Sequence, residues 1–237
     1  MNYLQLCQKT AQECGVSGTI STTTGQVGSL GRIVSWVGDS WNDLQIQHDD
    51  WDWMRSSNLL GGGVSFVTVA GQASYPLGTG AGTVGVAVDS FGKWDLGTFR
   101  CYPTSVGVSG EMSLDDVLFD VWRDAYMMGA MRSVQTRPVA IAVGSNQSLN
   151  LGPPPNDLYT ITGDYFTAPN VMTADTDLPT GLPLRFHDLI VYMAMMHYAG
   201  YESAPEVMSR ALAGSGRGMN QLEIARMPKM GWGPALA

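Results

Sequence analysis

The histidines are the first residues to test for chemistry, and the sequence has three: His48, His187 and His197. Asp188 follows His187, and a His-Asp dipeptide in a helix is a feature of metal phosphohydrolases. A hydrolytic metal site needs several ligands and an open position for water. The only upstream partner is the pair His48-Asp49, and no aspartate follows Asp188. We therefore expect His187 and Asp188 to serve the first turn of a helix, where an acidic side chain complements the helix dipole.

A second group of carboxylates, Asp49, Asp50 and Asp52, surrounds Trp51 and precedes Trp53. Paired carboxylates can transfer protons or bind calcium. A calcium loop needs a glycine at its sharp turn and a glutamate farther along the chain, and both are missing here. The group is better explained as the solvated acidic end of a helix, with the two tryptophans as anchors.

Two further kinds of site lack their diagnostic residues. The glycine-rich stretches 61–63 and 78–85 are not followed by the Lys-Ser/Thr of a phosphate-binding loop. The serines and threonines near the N-terminus have no histidine at a spacing diagnostic of an activated nucleophile. We therefore predict a protein that is not an enzyme, with no catalytic residue, metal or cofactor. A small metal-dependent hydrolase is the least favoured alternative.

Seven tryptophans could form a sugar-binding face, as in a carbohydrate-binding module. Trp41 lies on an apolar helical stripe, however, and most of the others are expected in the core. Only Trp94 and Trp232 are predicted to be free to contact a partner. Trp232 lies in a C-terminal segment rich in proline and glycine, which is predicted to be extended. We predict that Met230 and Trp232 bind a partner, because an aromatic side chain on an extended segment can fill a pocket as a hot spot.

These residues belong to a predicted α+β fold, in which the N- and C-terminal segments form a helical bundle and the middle is a β-rich insertion. The predicted parts are 1–57, helical; 58–185, β-rich; 186–225, helical; and 226–237, an extended tail. We expect residues 173–183, which contain two prolines and three threonines, to be a linker.

The longest predicted helix has its N-cap at Ser29 and carries an apolar stripe at helical spacing. The stripe consists of Leu30, Ile33, Val34, Val37, Trp41 and Leu44. We expect this helix to extend to about Trp53. In the C-terminal part, the last helix starts at Ser203-Ala204-Pro205. The glycines between Gly214 and Gly218 are expected to interrupt it, because glycine costs up to about 1 kcal/mol against alanine in a helix.

The middle part contains runs with strand patterns, bounded by glycines and turn residues. The predicted strands are 64–70, 73–77, 84–88, 98–102, 138–143, 148–151 and 158–166. Residues 144–147 supply the turn of a hairpin between two of them. One helix, 115–128, is predicted to lie on the sheet.

Charged residues are scarce, at 14% of the chain against roughly a quarter in typical soluble proteins. Interface cores are depleted in charge, so such a surface is easily desolvated against a partner. The net charge is −8 and no run of lysine or arginine occurs. This balance argues against a DNA-binding clamp, but it allows DNA to pass along the surface without binding. The composition therefore favours an assembly over a free monomer.

The three cysteines, Cys7, Cys14 and Cys101, form no C-x-x-C motif and are predicted to be buried thiols in a reducing cytoplasm. The N-terminus lacks a basic region followed by an apolar run, so we expect no signal peptide. No segment approaches the roughly 18 consecutive apolar residues of a membrane span. We therefore expect a soluble protein with no membrane partner.

The order of these segments resembles the head-to-tail adaptor (connector) proteins of short-tailed phages and their relatives among prophage structural proteins. The resemblance covers residues 1 to about 222. It is strongest in the tryptophan-bearing helix and in the FHDLIVY segment. The segments that carry it are MNYLQLCQKTAQECGVSG, RIVSWVGDSWNDLQIQHDDWDWMR, VTVAGQASYPL and LPLRFHDLIVYMAMMHYAGYESAPEV.

The resemblance implies a structural virion protein that forms a ring, usually a dodecamer of about twelve copies, beneath the portal. Its partners would be other copies of itself, the portal protein and tail or nozzle proteins. The ring would line the DNA ejection channel, and passing DNA would not be bound specifically. The protein would be assembled in the host cytoplasm and reside in the neck of the virion. A tail-completion or baseplate component is the principal alternative.

Overall fold

The computed structural model describes residues 1–226 and shows the predicted α+β fold, with helices at both ends and a β-rich middle. The α-helices are α1 (Tyr3–Glu13), α2 (Gly28–Ile46), α3 (Phe119–Tyr126), α4 (His187–Glu202) and α5 (Pro205–Arg226). The strands are β1 (Arg55–Ser56), β2 (Val64–Val67), β3 (Ser74–Tyr75), β4 (Phe91–Pro103), β5 (Met112–Ser113), β6 (Asp115–Asp116), β7 (Ala140–Val143), β8 (Leu149–Gly152) and β9 (Tyr159–Thr167).

The chain divides into two units. Among the described residues, the helical unit comprises Met1–Met54 and 169–226, with helices α1, α2, α4 and α5. The β-rich unit comprises Arg55–Ala168 and contains α3 and every strand found within residues 1–226.

Helix α1 is fixed at its N-terminus by contacts that its sequence and a distant loop supply. The side chain of Asn2 accepts a hydrogen bond from the Gln5 amide, and the Gln5 side chain accepts one from the Asn2 amide. The Tyr3 amide donates to the Asp177 carbonyl at 2.7 Å, in the segment predicted to be a linker. These contacts satisfy amides that the first turn of a helix leaves unpaired.

The predicted stripe of α2 forms part of the core of the helical unit: Ile33, Val37, Trp41 and Leu44 have no exposed surface. Both predicted ends of this helix are wrong. The helix begins at Gly28, one residue before the expected N-cap Ser29, and no side chain caps it.

The helix also ends at Ile46 rather than near Trp53. The chain turns back there, and the buried Trp51 donates a hydrogen bond from Nε1 to the Leu44 carbonyl at 3.0 Å. That carbonyl belongs to the last turn of the helix, where no backbone amide is left to pair with it. Trp51, which was expected to lie within the helix, therefore caps its C-terminal end instead.

Helix α5 is continuous through Gly214–Gly218, where an interruption was expected. The two outer glycines are one turn apart and face α4. A Cβ at Gly214 would lie 2.7 Å from the ring of Tyr192, and one at Gly218 would lie 3.2 Å from the Leu189 side chain. The cost of glycine in a helix is thus offset by the close packing of α5 against α4. Pro205 occupies the first position of α5, as predicted.

The β-rich unit contains two sheets. In the first, the strand order is β1-β9-β4-β5, and β2 also pairs with β9. In the second, the order is β3-β8-β7-β6. All pairs are antiparallel except β6 with β7. The predicted hairpin with its turn at 144–147 is confirmed as β7 and β8.

The core of the β-rich unit is drawn from both sheets. Its buried residues are Val64, Phe66, Tyr75, Val84, Val86, Trp94, Phe99, Cys101, Leu114, Ile141, Leu149, Leu151, Tyr159 and Ile161. In β2 buried and exposed residues alternate, which is the period of a half-buried strand. The long β9 is buried along most of its length, because β1, β2 and β4 pair with it.

Two local predictions for this unit are wrong. The helix predicted for 115–128 covers only Phe119–Tyr126, because the amides of Asp115 and Val117 donate to carbonyls of the β7 region and hold the chain extended. The strand predicted for 84–88 is reduced to a single bridge between Val86 and Gly78. Gly85 has a φ of +80°, which takes the chain out of the extended conformation there.

Candidate partner-binding surfaces

The His187-Asp188 dipeptide is divided between the inside and the surface of the helical unit. The His187 ring is buried, and its Nε2 donates to the Leu182 carbonyl at 3.0 Å. Its Nδ1 then accepts a hydrogen bond from the amino nitrogen of Met1 at 2.8 Å. Burial lowers the pKa of His187, which favours this neutral ring. Asp188 points away and pairs with Lys9 Nζ at 2.7 Å.

His48, the only upstream ligand candidate, takes part in a different contact. Its Nε2 lies 3.1 Å from a carboxylate oxygen of Glu223 on α5, and its ring is nearly perpendicular to the ring of Trp51, with centroids 4.8 Å apart. Within residues 1–226, no three side chains among histidine, cysteine, aspartate and glutamate are grouped so that they could hold a metal ion.

The acidic stretch 49–52 is anchored by aromatic side chains, as expected, but it follows the end of α2 instead of forming it. Trp51 stacks on Trp53 with ring centroids 4.4 Å apart. Asp52 pairs with Arg226 of α5 at 3.0 Å. Asp49 is exposed, and Asp50 is half-buried. The stretch therefore joins the end of α2 to the end of α5 and presents carboxylates to solvent.

Asp175 and Asp177 belong to a second acidic stretch, which the sequence did not mark as a site. Hydrogen bonds from the hydroxyl and amide of Thr23, both at 2.6 Å, lower the pKa of Asp175. Hydrogen bonds from the Ala174 and Thr173 amides lower the pKa of Asp177. Both carboxylates hold loops together. No sequence signal connects Thr23 with a residue 152 positions away.

The three cysteines are buried thiols, as predicted. Burial raises the pKa of Cys7 to about 12 and that of Cys14 to about 11. Burial also raises the pKa of Cys101. Since the thiolate is the reactive form of cysteine, these side chains are poor nucleophiles.

One of the two tryptophans predicted to be free is in fact buried. Trp94 is 5% exposed, and its Nε1 donates to the Gln147 carbonyl in the β7–β8 turn. Its position was misjudged because this partner lies 53 residues away in sequence. The other two predicted partner-binding residues, Met230 and Trp232, lie outside the described residues.

Exposed apolar side chains are the features that suit a partner, and several occur in each unit. In the β-rich unit, Leu59 and Leu60 are 93% and 88% exposed, beside the glycines at 61–63. In the helical unit, Leu184 and Ile224 are 71% and 84% exposed. Single exposed apolar residues are common, whereas clusters of them mark interaction sites. Ile224 lies in the range predicted to be helical, but that prediction did not show which side of the helix faces solvent.

A groove in the helical unit lies between α5 and the start of α4. It is lined by Arg185, Phe186, Asp188, Leu189, Tyr192, Gly214, Arg217, Gly218 and Gln221, and Ile224 borders it. It consists of two adjoining depressions, of about 200 Å³ and 270 Å³, which share Arg185, Phe186 and Gln221. Arg185 and Arg217 are exposed at this groove, so both guanidinium groups are accessible to a partner.

The comparisons with known proteins agree with this picture. No described helix is long and apolar enough to cross a membrane. No curated protein matches the sequence. The family model of the SU10 adaptor protein matches residues 1–233, which include both helical segments and the whole β-rich middle. The chain therefore belongs to the SU10 adaptor protein family, and the predicted kinship with phage head-to-tail adaptors is confirmed.

Proposed function

We propose that copies of this chain form a ring of about twelve subunits beneath the portal, which joins the portal to the tail and surrounds the path of the DNA. Membership of the adaptor family over residues 1–233 carries this proposal. The work of such a protein is to make lasting contacts on several sides, and this requires surfaces that are easily desolvated.

The exposed apolar residues of both units support contacts of this kind. Leu59 and Leu60 lie beside glycines in the β-rich unit, and Val108 of the same unit is 72% exposed. Apolar side chains in such positions are stabilised when a partner removes them from water, at about 25 cal/mol per Å² of buried area. We assign the β-rich unit to contacts with tail or nozzle proteins.

The C-terminal residues supply a candidate contact with the portal. Residues 227–237 contain Met230 and Trp232, and they follow directly after α5. An aromatic anchor that fills a partner's pocket commonly contributes about 2 kcal/mol or more, roughly thirtyfold in affinity. In a ring this contribution repeats at every subunit. We propose that Trp232 is this anchor.

Coexpression of the full chain with the portal protein of the same phage tests the function. A complex with several adaptor copies on each portal, measured by native mass spectrometry, is the expected result. A chain that joins tail proteins and leaves the portal bare would instead be a tail-completion or baseplate component. A monomer that binds neither would overturn the proposal.

A chain that ends at Arg226 tests the anchor separately. It should keep the melting temperature of the full chain and lose portal binding, and Trp232→Ala should reproduce the loss. Trp36→Ala is the matched control, because Trp36 is half-buried against Tyr198 and Tyr201 within the helical unit. A truncated chain with a lower melting temperature and intact portal binding would show that residues 227–237 serve the fold instead.

A further inference from the structure

The groove between α4 and α5 carries positive charge that nothing within residues 1–226 neutralises. Arg185 and Arg217 border it, and neither makes an ion pair in this part of the chain. By contrast, Lys9, Arg210 and Arg226 of the same unit all pair with carboxylates. We call the surface of Arg185, Phe186, Leu189, Arg217, Gln221 and Ile224 the basic groove.

The chemistry of the basic groove specifies its ligand. The Arg185 guanidinium lies over the ring of Phe186, 4.6 Å from its centroid, which leaves its N–H edges available to an acceptor. Asp188 also borders the groove, but Lys9 already neutralises its carboxylate. Ile224 adds an exposed apolar side chain at the rim. A segment with carboxylates and one apolar side chain would fit.

Such a segment occurs on the same helical unit. We call residues 46–50, the last residue of α2 and the turn after it, the acidic loop. It contains Ile46, exposed to 55%, and the carboxylates of Asp49 and Asp50. Neither carboxylate makes an ion pair within the described chain. The charges and the apolar residue of the acidic loop are therefore complementary to those of the basic groove.

The two surfaces lie on different sides of α5. The pairs His48–Glu223 and Asp52–Arg226 hold the region of the acidic loop against one side of this helix. Arg217, Gln221 and Ile224 line the other side. At about 100° per residue, the mean directions of these two sets of α5 residues are about 160° apart. The acidic loop therefore faces away from the basic groove of its own α5.

We propose that the acidic loop of one copy of this chain occupies the basic groove of a second copy. Asp49 and Asp50 would pair with the two arginines, and Ile46 would pack on Ile224. A contact between two different surfaces is heterologous, so it repeats from copy to copy and closes into a ring when the rotation permits. This inference rests on the proposed ring and identifies the surfaces that join its neighbours.

Charge reversal tests the pairing. Arg217→Glu and Asp49→Arg should each lower the adaptor occupancy of coexpressed portals by roughly tenfold, because like charges then face each other at every contact. Coexpression of the two variants should restore full occupancy. In an alternating ring with an even number of subunits, every groove then meets a loop of opposite charge. Native mass spectrometry would resolve the alternating composition.

The matched controls are Lys93→Glu and Asp89→Arg, which make the same changes of charge at exposed positions of the β-rich unit. Both should assemble like the unchanged chain. Equal behaviour of the groove variants and these controls would overturn the inference. So would a mixture that assembles no better than either variant alone.

Engineered cysteines give an independent readout in the same complexes. A Gln221→Cys chain and an Asp49→Cys chain, mixed and oxidised, should form a disulfide-linked dimer. The native thiols are buried and should not compete. If residues 227–237 of the same chain filled the groove instead, no dimer would form. An unchanged chain that neither forms rings nor binds the portal would refute the proposed function itself, whereas intact rings without cross-linking refute only this inference.

Discussion

At the scale of single residues, polar side chains of the helical unit form hydrogen bonds between parts of the chain that are distant in sequence. His187 joins the start of α4 to the Met1 amino group and to the Leu182 carbonyl. Asp175 joins its loop to Thr23. Since backbone groups and short loops are the partners in these contacts, the side chains are fully used within the fold.

The burial of His187 predicts a pH dependence of stability. Its pKa is lowered chiefly by burial, and the groups that face it include the Met1 amino group and Asp188. The unfolded chain therefore binds a proton more readily, so stability is complete above the ordinary pKa near 6.5 and falls as the pH drops below it. The pKa values of Asp175 and Asp177 are lowered from 3.8, so their stabilisation is lost only at more acidic pH.

Melting temperatures measured between about pH 7 and pH 5 would reveal this slope. His187→Gln should reduce it, because a glutamine can form hydrogen bonds but does not titrate. His197→Gln is the control, since the His197 side chain is exposed to 41%, 3.8 Å from Asp43. Identical slopes for the unchanged chain and His187→Gln would show that another group causes the loss of stability.

Residue types alone predicted the surroundings of some side chains and failed for others. The exclusion of His187 and Asp188 as a pair of metal ligands followed from the lack of further ligands in the sequence, and the structure gives the two side chains separate partners. The burial of Trp94 could not be predicted, because it depends on a carbonyl in a turn 53 residues away. The basic groove could not be predicted from the sequence either, because Arg185 and Arg217 come close only when α5 packs against the start of α4.

At the scale of elements, the apolar stripe of α2 was predictable because burial follows the helical period. We predict that replacing Trp41 in this stripe causes a large loss of stability. Trp41→Ala should lower the free energy of unfolding by roughly 3–5 kcal/mol, since the side chain is fully buried and its Nε1 donates to Asn170 at 2.7 Å. Trp36→Ala should cost less, because Trp36 is only half-buried. Equal losses in urea unfolding would place Trp41 outside the core.

Two glycines of α5 are predicted to respond in opposite directions when alanine replaces them: one substitution should lower the free energy of unfolding, and the other should raise it. Gly214→Ala should cost roughly 1–3 kcal/mol, because the new Cβ would lie 2.7 Å from the Tyr192 ring. Gly216→Ala should stabilise the protein by up to about 1 kcal/mol, since nothing lies within 4 Å of its Cβ and alanine favours a helix. Urea unfolding measures both. Stabilisation by both substitutions would mean that α4 and α5 are not closely packed at Gly214.

The ends of the elements were predicted less well than their existence, for a physical reason. The end of α2 is set by Trp51, which pairs with the Leu44 carbonyl, and a local pattern contains no trace of that contact. The strand at Asp115–Asp116 likewise exists because β7 pairs with it. Local propensity determined which segments are helical or extended, whereas tertiary hydrogen bonds determined where they stop.

At the scale of the whole molecule, the negative net charge of the chain determines how a ring of copies would interact with duplex DNA. The net charge is −8, and a ring multiplies it by the number of copies. Duplex DNA carries one phosphate charge for about every 1.7 Å of its axis. A wall with the same sign of charge would repel it and let it slide. The basic groove is an exception to this negative surface, but a neighbouring copy would cover it in the proposed ring.

The assembled adaptor should therefore not retain duplex DNA at physiological salt. Free subunits expose the basic groove, but its two arginines neutralise too few phosphates for appreciable binding, since affinity for DNA rises with the number of phosphates that lysine and arginine neutralise. Electrophoretic mobility shifts, measured for the free chain and for the ring, would test this at two salt concentrations. The expected result is no shift with either form. Micromolar binding that weakens steeply with added salt would contradict it. If Arg217→Glu removed that binding, the groove would be a phosphate site rather than a contact between subunits.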